Sequence, residues 1–364
     1  MPNTRPGVEL NENGICIPCV THNQRPKIDW SSRLKNFEII VDRAKAHPSP
    51  YDCLIPVSGG KDSTWQVVKC LEYGLNPLCF TQKVPLRTEL GQKNLDNLIS
   101  LGADHIEYMV NPEVEKKFVR KAFIKYGSAG LPMHMAMYRM TLNLACKFNI
   151  PYVIWGENSS IEYGSSDKDI STYKMDSKWL KKYGVSHGTE PQDWISDDLS
   201  LKELTPYFGP SDEDLDAQKI EAIFLGSYFQ WDTMTSFKVA KKNGFTESLD
   251  GPKIGYYNFA DLDDDIISIH HMLKWYKFGF TRAFDNLCIE IRNNRMTRRE
   301  AIKKLIALGK QFPLQDIENF CNFIEMPRNE FWDTLENFRN LDIWHLDEGK
   351  WKIEDFLIED WSWD

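Results

Sequence analysis

The chain has 364 residues, enough for two compact units, and its 42% hydrophobic and 27% charged content is ordinary for a globular protein. A formal net charge of −9 supplies no overall field for a polyanion, which argues against nucleic acid as a ligand. No apolar run approaches the ~20 residues of a membrane span, and no basic segment leads into an apolar one at the N-terminus, so a cytoplasmic location without membrane insertion is expected.

In chain order, residues 1–30 are rich in Pro, Asn and Gly and carry Cys16 and Cys19 in a Cys-x-x-Cys spacing. Two thiolates so spaced can share one zinc, and His22 offers a third ligand, but a structural zinc site takes four and no second Cys-x-x-Cys exists. A Zn2+ half-site and a pair of thiols near solvent therefore stand as alternatives. Cys53, Cys70, Cys79, Cys146, Cys288 and Cys321 sit in apolar contexts that predict reduced core residues. Leu34, Phe37, Ile40 and Ala44 mark one face of a helix ending before Pro48.

Residues 52–57 read as a short buried strand, followed by Ser58, Gly59, Gly60, Lys61, Asp62 and Ser63. Beyond them Trp65, Val68 and Leu71 recur at helical spacing, with Asp62 or Ser63 placed to cap the first turn and Gly74 to stop the last. Glycines at a helix N-terminus make an anion site, because unpaired backbone N–H groups and the positive end of the helix dipole converge where no Cβ intrudes. Lys61 and the hydroxyls of Ser58 and Ser63 add donors. Walker A spacing is absent, which argues against an ordinary kinase or GTPase. The bland alternative is a glycine turn that merely joins strand to helix.

The segments "NPLCFTQ", "TELGQKNLDNLISLG", "DHIEYMV", a helix opened by Asn111 and Pro112, a helix around 137–148 and "PYVIW" continue a strand and helix alternation. This rhythm predicts an α/β fold with a doubly wound parallel sheet, whose ligands bind beyond the carboxyl ends of the strands. Thr81 to Lys83 and the polar stretch "WGENSSIEYG" lie at such ends, which brings in Thr81, Gly156, Glu157, Asn158, Glu162 and Tyr163. The latter stretch suits magnesium or substrate binding, and a solvated loop is the alternative.

Residues 166–260 are less regular and read as a mixed insertion or cap. Residues 261–364 turn mainly helical, and here Arg282, Arg292, Arg295, Arg298 and Arg299 crowd into an otherwise acidic chain, fit to meet phosphate or carboxylate. A solvated helix face would also accommodate them. The adjacent His270 and His271 fall on different helix faces, which disfavours a metal pair. The acidic, aromatic tail "KWKIEDFLIEDWSWD" is suited to docking on its own domain or a partner.

Ser-Gly-Gly-x-Asp-Ser after a strand resembles the PP-loop of ATP pyrophosphatases, which cleave ATP between its α and β phosphates. Taken with "MPNTRPGVELNENGICIPC", "NPLCFTQ", "IWGENSSIEYG" and "YKFGFTRAFDNLCIEIRNNRM", it resembles the bacterial N-acetyl sugar amidotransferases of surface polysaccharide and lipopolysaccharide O-antigen synthesis. The resemblance runs over nearly the whole chain. It implies a PP-loop domain at 31–165, an adenine nucleotide alpha hydrolase-like sheet, and ATP-dependent conversion of an acetamido group on a nucleotide-linked sugar to an acetamidino group through an adenylated intermediate.

On that resemblance Lys61, Asp62 and Glu157 are the catalytic candidates. Ser58, Gly59, Gly60, Lys61, Asp62, Ser63, Thr81 and Gly156 would bind ATP, and Asn158, Glu162, Tyr163, Arg282, Arg292 and Arg295 the sugar. Asp62 and Glu157 compete for the role of Mg2+ ligand. The implied partners are a glutaminase subunit and a barrel-shaped ammonia-channel subunit resembling those of histidine biosynthesis, since the chain has no room for a cysteine-triad glutaminase.

Two features depart from the family. Its members carry a further Cys pair ahead of the segment that here starts at Met1, so a late start or an absent metal site is expected. They also carry cysteines where Met133 and His134 stand here. The competing functions are a PP-loop tRNA-thiolating enzyme and a non-catalytic nucleotide-binding scaffold.

Overall fold

A computed structural model describes residues 1–6, 8–24, 28–158 and 173–363. Its centre is a five-stranded, all-parallel sheet made of β1 (Cys53–Pro56), β2 (Pro77–Gln82), β3 (Asp104–Tyr108), β4 (Tyr152–Trp155) and β5 (Glu221–Phe224), in the order β3-β2-β1-β4-β5. Leu54 stands opposite Leu78 on one side and Val153 on the other, so β1 lies at the centre where the direction of winding reverses.

Alternate strand residues feed opposite layers, as a pleated strand requires. Leu54, Phe80, Val153 and Phe224 pack with Phe118 and Ala136, from helices Pro112–Tyr126 and Leu131–Phe148. Cys53, Ile55, Cys79, Ile154 and Ile223 pack on the other face with Phe37, Trp65 and Leu95, from helices Trp30–Ala46, Lys61–Glu72 and Glu89–Ile99. Burial on both faces explains why these strands read as continuous apolar runs.

Helix ends follow their local chemistry. The Asn111 side chain accepts from Glu113 N at 3.0 Å with Pro112 in the first turn, and Gly127 closes that helix at φ 52. Gly74, at φ 67, ends Lys61–Glu72 as its position predicts.

The boundary expected at residue 165 does not end the sheet. β5 lies in the stretch read as an insertion and pairs in register with all of β4. A strand of four residues, "EAIF", between acidic loops carries too little periodicity to be distinguished from a cap.

A second core lies among helices Ile266–Phe278, Arg282–Arg292, Arg298–Leu308, Leu314–Phe323 and Arg328–Asn337. Val119 and Phe123 enter it from the helix whose Phe118 serves the sheet, so one amphipathic helix joins the two cores. The aromatic tail folds onto its own chain. Trp361 packs on Trp275 with ring centroids 5.5 Å apart, beyond the antiparallel hairpin Trp344–Asp347 and Lys350–Ile353. The six cysteines expected in the core are unpaired thiols, five buried and Cys146 partly so.

Candidate active site

β1 runs into the glycine loop, and the backbone explains both glycines. Gly59 sits at φ 93, and a Cβ there would lie 2.5 Å from the backbone nitrogen of Leu95. A Cβ on Gly60 would crowd Ser58 Oγ at 3.2 Å and Asp263 Oδ2 at 3.3 Å. Gly60, extended at φ −66 and ψ 169, is itself the N-cap of Lys61–Glu72, with no side chain capping the turn. The cap expected from Asp62 or Ser63 is therefore corrected. Ser63 Oγ instead donates back to Gly60 O at 3.0 Å, and the first-turn amides are left for a ligand.

The loop opens into a cavity of about 410 Å³. Ser58, Gly60, Lys61, Asp62 and Ser63 of the loop, Gly156 and Glu157 after β4, and Arg282 all line it. Lys61 is 8% exposed, and its ammonium pairs with Asp62 Oδ2. Asp62 Oδ1 accepts the indole N–H of Trp231 at 3.2 Å. Both oxygens of the loop carboxylate are thus held in place.

The structure does not bring all the expected residues to this cavity. Gly59 and Thr81 support it from behind: Thr81 is buried and donates to Val57 O at 2.8 Å. Asn158 is buried and accepts from Trp179 Nε1 at 3.2 Å. Arg295 is occupied by Asp232 and Glu290, each at 2.7 Å. Arg292 lines a separate cavity of about 620 Å³ together with Cys16 and Cys19. Glu162 and Tyr163 lie outside the described residues.

Sequence reasoning missed an acidic loop directly before helix Ile266–Phe278. Thr88 N donates to Asp263 O at 3.0 Å and Thr88 Oγ1 to Leu262 O at 2.6 Å, which fastens this loop beside the glycine loop. Asp261 Oδ2 accepts from Arg282 Nε at 2.9 Å. Burial pushes the Asp261 carboxyl upward, but the charges of Arg282 and His271 outweigh it and hold the group well below its usual range. For Asp263 the balance falls the other way. Burial raises it, against the Ser58 hydroxyl and the Arg87 charge. Asp264 is pushed up to about 7, chiefly by burial. The signal for the loop was the run "DLDDD" itself, a density of carboxylates unsuited to a helix interior.

Mg2+ takes one or two carboxylates together with phosphate oxygens and water. Asp62, Glu157 and Asp263 line the same cavity as the phosphate loop, so the donor set suits it. Among the described residues no three His, Cys, Asp or Glu side chains converge into a ready-made metal site, so a divalent cation here would be held largely by the nucleotide. By the same finding no third ligand, His22 included, joins Cys16 and Cys19 among the described residues, so the four donors of a structural zinc site are not assembled there.

The sheet order and a glycine loop at an uncapped helix N-terminus define a doubly wound α/β fold with an anion-binding loop at the end of its central strand. Residues 232–357 match a family model described as LPS biosynthesis protein WbpG-like, C-terminal domain. That stretch begins at the residue after Trp231 and contains Asp261, Asp263 and Arg282. Among solved structures, the NMN synthetase of Francisella tularensis is similar at 15% identity, covering 60% of this chain and 93% of its own, with a TM-score of 0.29. The NAD+ synthetase of Burkholderia pseudomallei is similar at 13% identity over 62% and 91%, with a TM-score of 0.28. No curated protein matches in sequence. Among the described residues no helix is long and apolar enough to cross a membrane.

Proposed function

We propose that the chain is an ATP-dependent, AMP-forming amidotransferase that turns an acetamido group of a nucleotide-linked sugar into an acetamidino group. The observation that carries this reading is one cavity shared by a phosphate loop without Walker spacing, the Glu157 carboxylate and the Arg282 guanidinium. The lipopolysaccharide description of the matching C-terminal model supports a sugar substrate.

An amide oxygen is a poor leaving group, so it must first be activated. The oxygen attacks the α-phosphorus of ATP, the bond to the β-phosphate oxygen breaks and pyrophosphate leaves. Ammonia then attacks the imidate carbon, the C–O bond breaks and AMP departs with the former amide oxygen. The proton released from nitrogen goes to a carboxylate, the role this reading gives to Glu157. The N-terminus of helix Lys61–Glu72, the Lys61 ammonium and Ser63 stabilise charge gathering on the phosphates. A magnesium ion, when bound with the nucleotide, would neutralise part of that charge. Ammonia would come from a separate glutaminase through a barrel-shaped channel subunit, which keeps it unprotonated on the way.

The test is to incubate the chain with ATP, ammonium and a UDP-linked diacetamido sugar, then identify both products. AMP, pyrophosphate and a sugar with NH in place of one amide oxygen are expected. ADP with orthophosphate would overturn the reading.

A further inference from the structure

Tyr138 lies on helix Leu131–Phe148 and lines the same cavity as Glu157 and the glycine loop. Its ring packs on Trp155 at 4.9 Å and on Trp179 at 5.8 Å, and Trp179 packs on Phe224 at 5.1 Å, with Met137 beside them. The indole of Trp179 is satisfied by Asn158, at 3.2 Å. The Tyr138 hydroxyl, by contrast, has no hydrogen-bond partner among the described residues, and packing alone would be served as well by phenylalanine. Burial, and then the nearby Glu157 charge, raise its pKa, so the phenol remains a neutral donor throughout the working range.

We infer that Tyr138 reads the carbonyl oxygen of a secondary amide on the acceptor while Glu157 receives its N–H. The inference rests on the amidotransferase reading. A secondary amide presents one acceptor and one donor on adjacent atoms, and a neutral phenol beside a carboxylate offers their complements. A free amine lacks the carbonyl oxygen, and an ester lacks the N–H. Trp155 and Trp179, largely buried in the cavity lining, give it an apolar aromatic wall that suits the C–H face of a hexose, which is apolar although the ring's edge is not. Tyr138 thereby determines specificity, and the proton transfer remains with Glu157.

The test is calorimetric titration of the full chain and of Tyr138→Phe with three probes: a UDP-linked diacetamido hexose, UDP-glucose and a non-hydrolysable ATP analogue. The variant is expected to lose about tenfold in affinity for the diacetamido probe, as a site built to hydrogen-bond a group does when that bond is lost. UDP-glucose and the ATP analogue should bind unchanged, and the variant should melt no lower than the parent, since no internal bond is broken. Equal affinity of both proteins for the diacetamido probe overturns the role of Tyr138 and leaves the amidotransferase reading standing. Weakened binding of the ATP analogue assigns the aromatic wall to the nucleotide base and also overturns it. Failure of the parent chain to bind either UDP-sugar overturns both.

Discussion

Trp231 donates its indole N–H to Asp62 Oδ1 at 3.2 Å across 169 positions of sequence. The loop aspartate is thus positioned by a residue bordering the C-terminal matched segment, and Lys61 takes its second oxygen. Trp231→Phe keeps the ring and removes the donor. Pyrophosphate release should fall about tenfold, the effect of freeing one oriented hydrogen bond in an active site. A rate within twofold of the parent would show that Lys61 alone orients Asp62.

Gly59→Ala places a Cβ against the Leu95 backbone at a φ of 93 that a side-chain-bearing residue avoids. A destabilisation of at least about 3 kcal/mol in urea unfolding is expected. Gly14 is the internal control. It has a φ of 70 with nothing near its Cβ position, so Gly14→Ala should cost only about 1 kcal/mol of backbone strain.

The arginines separate by what they touch. Arg282→Ala removes a cation from the cavity wall and strands its partner Asp261, so turnover with the nucleotide sugar should drop about tenfold or more and unfolding stability should fall with it. Arg295→Ala leaves the partly buried Glu290 and Asp232 without their cation, so it should lower unfolding stability by about 2 kcal/mol with kinetics near those of the parent. A kinetic defect confined to Arg295→Ala would reverse this assignment.

Glu115 is buried, and its carboxyl is pushed up to about 8 by that burial, with the Gln82 amide opposing weakly. An unfolded glutamate titrates near about 4.3. Between these values the folded chain binds more protons than the unfolded one, so stability decreases as pH rises through this window and levels off above it. Thermal melting followed from pH 5 to 8.5 should show this decline, and Glu115→Gln should make it shallower, leaving the part that Asp264 contributes in the same direction. An unchanged slope in the variant would place the titration elsewhere.

The glycine loop was legible because its determinants are local: a strand, two glycines and the first turn of a helix lie within about a dozen residues, and Gly74 announces the end of that helix. Asp261, Asp263 and Asp264 were not, since "DLDDDII" runs directly into helical periodicity and only Asp261's φ of 57 breaks it. Arg292 and Arg295 were read by charge, but charge does not reveal whether a partner already holds it. Glu290 and Asp232 are such partners, 58 positions apart in number, and only the folded chain brings them to the same guanidinium. The Trp231 contact carries no local mark at all, because nothing in "YFQWDTM" distinguishes an indole that meets a carboxylate from one that packs.

The distance in sequence between Trp231 and Asp62 also sets an order in time. During synthesis the glycine loop leaves the ribosome well before the residue that fastens its carboxylate. At about 10 residues per second, the delay over that stretch is roughly 17 s. A nascent chain halted before residue 231 therefore displays the glycine loop without its finished geometry, and the held Asp62 carboxylate arrives late in translation, with the helices that complete the cavity.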